Sequence, residues 1–243
     1  MLSGSLTYRS QIDGIEFDKI EIRSPQSRVE KIDVTSDAGG NVSIEVHIGR
    51  IALLRDAKTL GLREARRIAN RLAVALCRPC YDPIPQRHAL RDQQADVHFF
   101  EDWTVPVPYF GSARKLGTES VADLASALNE AEPPGEANYQ RFRHCLNIPD
   151  VASRFLALHR LLGMFLAHTA QDTQAAIDDL IRKHEPEVAE MISPQTGKPE
   201  TIYTKLRNEY MNCRDASLAQ IQPEMADHLP GLIAILQKAI RSR

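Results

Sequence analysis

The sequence lacks the features that identify most membrane and secreted proteins. It has no run of about 18 uncharged apolar residues, and its longest apolar segment, 155–167, is interrupted by His159 and Arg160. The first residues show no basic stretch followed by an apolar one, so no secretory signal is predicted. Four cysteines in 243 residues are too few for the disulfide framework of a small secreted domain. These absences predict a soluble, cytoplasmic protein without a membrane partner.

An excess of charge of one sign is also missing. The net charge of −2 excludes a uniformly basic surface, so any binding to RNA must be local. The sequence contains no glycine-rich phosphate loop, no nucleophile elbow, no kinase signature and no histidine pair of the metalloprotease type. Neither a cofactor nor a metal site is therefore predicted.

The residues that are present are typical of a globular protein, with 43% hydrophobic and 26% charged residues. The length favours two domains, and the segment EPPGE at 132–136 is the predicted linker. We expect a β-rich α+β domain at 1–131 and an all-α bundle at 137–243. The fold class predicted for the whole chain is α+β.

The first half has the pattern of several strands followed by one long helix. Segments rich in β-branched and aromatic residues are separated by Asp-Gly, Ser-Pro and Gly-Gly-Asn turn sequences. The predicted strands are 5–10, 14–23, 29–35, 42–48 and, further along, 97–100. A helix is predicted from about Asp56 to Cys77, ended by Pro79, because Leu and Ala recur every three or four residues. The rest of 82–117 is expected to be irregular, with a short helix at 120–131.

Two features of this long helix are candidates for binding. The first is a basic face formed by Arg63, Arg66, Arg67 and Arg71. Such a face either contacts phosphate or faces water and pairs with neighbours such as Glu64, and the second use is the more frequent. The other feature is the CxxC pair of Cys77 and Cys80 at the helix end. Because Cys145 and Cys213 do not form a second pair, the sequence does not favour zinc there.

The second half is predicted to be helical throughout. The predicted helices are 138–145, 150–168, 173–191, 201–214 and 231–241. Pro186 is expected to kink or split the third helix, residues 193–199 to form a turn, and Pro223 and Pro230 to separate the last two helices. Four or five antiparallel helices joined by short loops form a bundle.

Two of these helices carry the sequences DVASRFLALHRLL and TIYTKLRNEYMNC, with an amphipathic helix between them. This succession resembles the HEPN superfamily of helical-bundle proteins, including the methylamine-utilisation accessory protein J group. The resemblance covers about 138–243, and a β-rich first half with one long helix is similar to the layout of that group. It implies a protein of bacterial type that forms a homodimer through the C-terminal bundle. Active members are metal-independent ribonucleases with an Arg, a following polar residue and a His a few positions later.

The family motif corresponds to Arg207 and Asn208 in this chain. At the positions where the family has its histidine, the chain has Asn212, Cys213 and Arg214. Asparagine cannot transfer a proton, and loss of a positioned general acid or base costs about 10² to 10⁴ in rate. The resemblance thus implies Arg207, Asn208, Asn212 and Cys213 as candidate catalytic residues of a degraded site. In addition, Gly163 stands near the place of an acidic residue found in some family members.

The spacing of Arg207, Tyr210 and Arg214 places them on one face of the helix, as a candidate RNA-binding set. An aromatic ring between two guanidinium groups can stack a base and hold a phosphate, although the same residues can also cover a bundle or pair with a dimer partner. Two hypotheses follow. One is a non-catalytic dimerising or accessory protein, which the missing histidine favours. The alternative is an RNA-binding protein or metal-independent endoribonuclease in defence or stress response.

Overall fold

The computed structural model describes residues 1–92, 94–103, 113–130, 136–166, 173–212 and 218–242. It contains both a large sheet and many helices, which confirms the predicted α+β class. The chain divides into two compact units, Met1–Arg143 and His144–Arg243. Most of the predicted linker lies outside the described residues, and helix α3 (Glu136–Leu146) runs through the division between the units. The predicted domain limits, 1–131 and 137–243, therefore stay predictions.

A seven-stranded sheet forms most of the first unit. Its strands are β1 (Leu2–Gln11), β2 (Ile15–Ile22), β3 (Val29–Ser36), β4 (Asn41–Ile51), β5 (Ile84–Asp92), β6 (Val97–Asp102) and β7 (Arg114–Lys115). They are arranged in the order β6-β5-β1-β4-β3-β2-β7. Every neighbouring pair is antiparallel except β2 and β7, which are parallel. The predicted strands in 1–51 and at 97–100 are confirmed.

Strand β5 lies in the segment 82–117, which was predicted to be irregular, so this prediction was wrong for 84–92. Proline cannot donate a ladder hydrogen bond and is tolerated in a strand mainly at an edge or a bulge. Here the pairing of β1 with β5 shifts between Thr7 and Tyr8, so that Arg87 and Pro85 are successive partners and Gln86 is skipped. The bulge at this point accommodates Pro85 inside the sheet.

One face of the sheet is covered by the long helix α1 (Leu54–Leu76) and by α2 (Thr118–Asn129). Alternate residues of β4 are buried beneath these helices, as a strand with one covered face requires. Helix α1 approaches the sheet closely at Gly61. A Cβ atom at this position would lie only 2.5 Å from Leu6 Cδ1 and 2.6 Å from Tyr8 Oη. Glycine therefore sets the distance between this helix and the sheet.

The expected basic face of α1 is not a single exposed surface. Arg67 and Arg71 are only 5% and 3% exposed, whereas Arg63 and Arg66 lie in solvent. The expectation of four arginines on one open face was wrong because α1 is covered by α2 as well as by the sheet. An arginine buried in this way needs hydrogen-bond partners inside the protein.

Both buried arginines have such partners. Arg67 Nε donates to the buried Glu64 carboxylate at 3.0 Å, which confirms the predicted pairing with Glu64. Arg71 Nη1 donates to the carbonyl oxygens of Leu128 and Glu130 at 2.9 and 2.7 Å, at the end of α2. Arg71 therefore attaches α1 to the last turn of α2.

The second unit is built from α4 (Val151–Leu166), α5 (Thr173–His184), α6 (Ile202–Asn212) and α7 (Leu218–Arg241). Helix α4 contacts each of the other three. A two-stranded hairpin, β8 (Glu190–Ile192) and β9 (Pro199–Thr201), lies between α5 and α6 in the chain. The expected all-α bundle thus contains a small antiparallel sheet.

The helix predicted from 173 to 191 ends before Pro186, as its expected split implies, but the part predicted beyond the proline was wrong because β8 of the hairpin lies there. Helix α5 ends at His184, and Pro186 lies in the following turn because proline has no N–H to continue the helix. The predicted turn at 193–199 is confirmed, with the Ser193 N–H donating to the Lys198 oxygen at 2.9 Å. Gly197 supplies the positive φ, +67°, that this turn needs.

The two prolines near the C-terminus do not separate helices, which corrects the prediction. Pro223 and Pro230 both lie inside the continuous helix α7. Each is on the exposed side of the helix, where the carbonyl that loses its amide partner is open to water. The other side of α7 is buried against the unit through Ile221, Met225, Leu229, Leu232, Ile235 and Leu236. This packing offsets the two missing hydrogen bonds.

Candidate functional site

The candidate site is on α6, where Arg207 and Asn208 follow a buried first turn. Arg207 is exposed and Asn208 is half-buried. Arg207 Nη1 donates to Asn208 Oδ1 at 2.7 Å, and Asn208 Nδ2 donates to Glu200 Oε2 at 3.0 Å. The Asn208 carboxamide is thus bonded at both ends, with the guanidinium on one side and a carboxylate on the other.

Glu200 is a second member of this cluster and is only 3% exposed. It lies in β9, directly before α6, and also accepts a hydrogen bond from Gln174 Nε2 of α5 at 3.3 Å. The carboxylate therefore joins the hairpin, α5 and α6. It occupies the Asn208 amide donor that a phosphate would otherwise use, and a carboxylate and a phosphate repel each other.

The other predicted site residues are arranged differently. Asn212 Nδ2 donates to the backbone oxygen of Asn208 at 2.8 Å, so its carboxamide is bonded to its own helix. Tyr210 is half-buried on α6. Cys213 and Arg214 lie outside the described residues. The structure thus brings Arg207, Asn208 and Asn212 together along the helix.

A buried polar network lies beneath the same helix. The Thr204 hydroxyl of α6 donates to Asp178 Oδ1 of α5 at 2.7 Å, and the Thr201 hydroxyl donates to the same oxygen at 2.6 Å. His159 Nε2 of α4 lies 3.2 Å from the Thr204 oxygen. Because the Thr204 proton goes to Asp178, its oxygen accepts from His159 and assigns the proton to Nε2. The network connects α4, α5, α6 and β9.

The positive charge of Arg207 affects the pKa of the buried His159. It is 5% exposed, and burial, followed by the positive charge of Arg207, lowers its pKa to about 4. The imidazole is therefore neutral at pH 7. A general acid or base works best when its pKa is near the operating pH and its nitrogen reaches the substrate. His159 meets neither condition and is a packed histidine bonded to a neighbour.

Sequence reasoning missed the acidic and hydroxyl members of this region, Glu200, Asp178, Thr201 and Thr204. They come from three separate elements, and no sequence spacing relates Asp178 to Thr204. One signal was available: Thr201 and Thr204 flank the apolar residues that begin α6, so that their side chains fall on its buried side.

A second polar group lies on the sheet, where ligand atoms of Asp33, Glu45 and His47 lie within 4.8 Å of one another. The ammonium groups of Lys19 and Lys31 are 2.9 and 3.1 Å from Asp33 Oδ2. Burial raises the pKa of Asp33, but hydrogen bonds from the two lysines and His47 outweigh it and lower that pKa. Two adjacent positive charges oppose a divalent cation, so the group is best explained as an ion-pair network.

In the CxxC pair, the thiol of Cys80 is not reactive. This residue is fully buried, with Sγ 3.6 Å from Ser10 Oγ, and burial raises the pKa of its thiol to about 11. Reactive cysteines have lowered rather than raised pKa values. Cys77 adopts a left-handed conformation, φ 53°, as the residue that ends α1. Cys77 therefore ends the helix, and Cys80 packs against β1.

In comparisons with known proteins, no family model matches the chain, and neither does any curated protein or solved structure. The relationship to the HEPN superfamily thus stays a prediction that rests on the residues of α4 and α6. Within the described residues, no helix combines the length and apolar character needed to cross a membrane.

Proposed function

We propose that the protein is a non-catalytic accessory protein of the HEPN-like type that acts as a homodimer. The observation that carries this proposal is the pair of hydrogen bonds made by the Asn208 carboxamide, which accepts from Arg207 and donates to the buried Glu200. A carboxamide used in this way stabilises the junction of β9 and α6. The adjacent carboxylate also disfavours a phosphate at the same place.

The proton-transfer groups support the same conclusion. Cleavage of RNA without a metal needs a group that takes a proton from the 2′-hydroxyl and another that protonates the leaving oxygen. Asn212 cannot do either, and His159 is buried and neutral with a pKa of about 4. Burial raises the pKa of Cys145, a thiol elsewhere in the chain, to about 11. None of these three groups fits the task.

The proposed dimer forms through the C-terminal unit. Apolar side chains are exposed on this unit, with Ile192 67% and Met211 60% exposed. Ile192 lies on β8 and Met211 on the same helix as Arg207. Covering such side chains with a second copy removes apolar area from water, which is the main favourable contribution to association.

One observation favours the alternative, an RNA-binding function. Arg207 remains exposed although its Nη1 donates to Asn208, and a guanidinium has further N–H donors in a planar fork that suits phosphate. In this alternative Arg207 contacts the RNA backbone without cleaving it. The salt dependence of binding would then decrease when Arg207 is removed.

The two functions are separated by assays on the purified full-length protein. We expect no cleavage of single-stranded RNA in the presence of EDTA, and self-association by sedimentation that Ile192→Lys or Met211→Lys weakens. Arg160→Ala, an exposed arginine on α4, is the matched control for Arg207→Ala. Cleavage that Arg207→Ala abolishes and Arg160→Ala preserves would overturn the proposal. Binding without cleavage that depends on Arg207 alone would establish the alternative.

A further inference from the structure

The outermost strand of the large sheet, among the described residues, is β6. It pairs with β5 in a regular register over six residue pairs, from Arg87 with Asp102 to Asp92 with Val97. At the opposite edge β7 has only two residues. Very short edge strands are one way in which proteins prevent further pairing. The sheet therefore has one protected edge and one longer, regular edge.

The hydrogen-bonding groups on the outer side of β6 can be identified from the ladder. The Trp103 N–H donates to the Gln86 oxygen at 2.8 Å, so this position points inward, toward β5. Backbone groups alternate in direction along an antiparallel strand. The N–H and C=O groups of His98, Phe100 and Asp102 therefore point outward, away from β5. They form a row of three positions that another strand can pair with.

The side chains of β6 are apolar at its centre and do not protect the edge. Phe100 is 59% exposed, Val97 42% and Phe99 37%. Arg87 of β5 lies over the Phe100 ring, 5.1 Å from its centroid, and holds it against the sheet. The strand contains no lysine, proline or bulge of the kind that blocks edge pairing, and its two carboxylates, Glu101 and Asp102, lie only at its end.

We propose that β6 is a dimerisation edge, which pairs in antiparallel fashion with β6 of a second copy of this chain. The two-fold axis passes through the pair of Phe100 residues. In this register Phe100 lies opposite Phe100 of the partner subunit, and His98 lies opposite Asp102 of the partner subunit. Aromatic pairs and pairs of complementary polarity are the favourable cross-strand combinations. Symmetry forms the His98 to Asp102 contact twice.

The self-complementary sequence of β6 selects this register over its neighbours. A two-fold axis keeps side chains on the same face, so opposed residues must be separated by an even number of positions. With the axis at Phe99, His98 pairs with Phe100, and Asp102 is left without a partner inside the strand. Moving the axis to Glu101 places two glutamates opposite each other. The axis at Phe100 pairs all three outward positions and opposes no like charges.

This contact is separate from the dimer proposed for the C-terminal unit, and its test is chosen to distinguish the two. Hydrogen-bonded opposite residues in antiparallel strands have Cα atoms about 5.5 Å apart, within the range that a disulfide bridges. We expect Phe100→Cys to form a covalent dimer when the full-length protein is oxidised with copper phenanthroline. Wild type and Tyr81→Cys, an exposed aromatic position elsewhere in the first unit, should remain largely uncrosslinked. If Phe100→Cys forms no more covalent dimer than these controls, the proposal is overturned, whether or not the C-terminal unit dimerises.

A charge substitution tests the register. His98→Asp places a carboxylate opposite Asp102 of the partner subunit, while it faces Arg91 within its own sheet, so that strand pairing inside each subunit is kept. We expect the contact to weaken about tenfold by sedimentation, and adding Asp102→Asn to restore most of the loss. Phe100→Lys should remove the β6 contact and so reduce the assembly to the dimer of the C-terminal unit, or to a monomer where that dimer does not form, whereas Tyr81→Lys should leave the mass unchanged. An unchanged mass for Phe100→Lys, or a second substitution that restores nothing, would contradict the proposed register.

Discussion

The carboxylate of Asp178 and the hydroxyl of Thr204 are joined by a 2.7 Å hydrogen bond between α5 and α6. Asp178 is 2% exposed, and Thr204 has no exposed surface. Because the same carboxylate oxygen also accepts from the hydroxyl and the N–H of Thr201, one side chain satisfies three buried donors. A buried charge with several hydrogen bonds is expensive to disrupt.

Removing this acceptor should destabilise the second unit. We expect Asp178→Ala to lower the free energy of unfolding by about 3 kcal/mol, since it leaves buried hydroxyl and amide donors without a partner. The next residue provides a matched control: Asp179 is exposed and pairs with Arg182 at the surface. Asp179→Ala should change stability by less than about 1 kcal/mol. Urea denaturation of the two variants measures the difference, and equal losses would contradict the role given to Asp178.

His159 should make the stability depend on pH. The unfolded chain protonates this histidine near its ordinary pKa of 6.5, whereas burial and Arg207 lower the pKa in the folded protein to about 4. As pH falls from 6.5 to 4, the unfolded state binds a proton at this histidine and the folded state does not, so the free energy of unfolding decreases. The full decrease is about 3 kcal/mol.

The variant His159→Gln isolates this contribution, because its amide nitrogen can replace Nε2 as the donor to Thr204. We expect denaturation curves between pH 7 and 4.5 to show a smaller loss of stability for the variant than for the wild type. The same pH dependence in both proteins would show that His159 protonates normally in the fold.

The arginines of α1 should differ sharply in their effect on stability. Arg71→Ala removes donors to the Leu128 and Glu130 carbonyls and should cost about 3 kcal/mol. Arg63→Ala changes an exposed residue of the same helix and should cost less than about 0.5 kcal/mol. Thermal or urea denaturation compares them. Similar losses of stability for the two variants would mean that Arg71 is exposed like Arg63, as on the open basic face that the sequence predicts.

The residue that ends α1, Cys77, should tolerate glycine better than alanine. Its φ of 53° lies in the left-handed region, where glycine has no steric penalty and other residues lose about 1 kcal/mol or more. Cys77→Gly should therefore be more stable than Cys77→Ala by about 1 kcal/mol. Both variants lack the thiol, so their difference reports the backbone alone. Equal stabilities would mean that the helix end relaxes around alanine.

The parts of the fold that the sequence predicts are those in which each residue carries a local signal. In β4, Val42, Ile44 and Val46 alternate with polar residues, and the strand is where this alternation places it. Strand β5 gives a weak signal because only His88 and Leu90 are buried in it. Helix α7 contradicts its local signal because long-range packing outweighs two prolines.

The candidate site shows the same limit. Arg207 and Asn208 are adjacent in the sequence, and their resemblance to a family motif identifies them. Their partner Glu200 and the buried Asp178 are brought to α6 only by the folding of a hairpin and another helix. Hydrogen bonds between elements leave no spacing in the sequence, so these roles follow only from the folded structure.

The absence of a side chain at Gly61 limits which amino acids this position can tolerate. Any larger residue would push α1 away from Leu6 and Tyr8, so a selection for folded variants should retain glycine there. Gly117 has no atom within 4 Å of an added Cβ, and its φ of −69° suits other residues. A library randomised at both codons should therefore stay invariant at the first and diversify at the second.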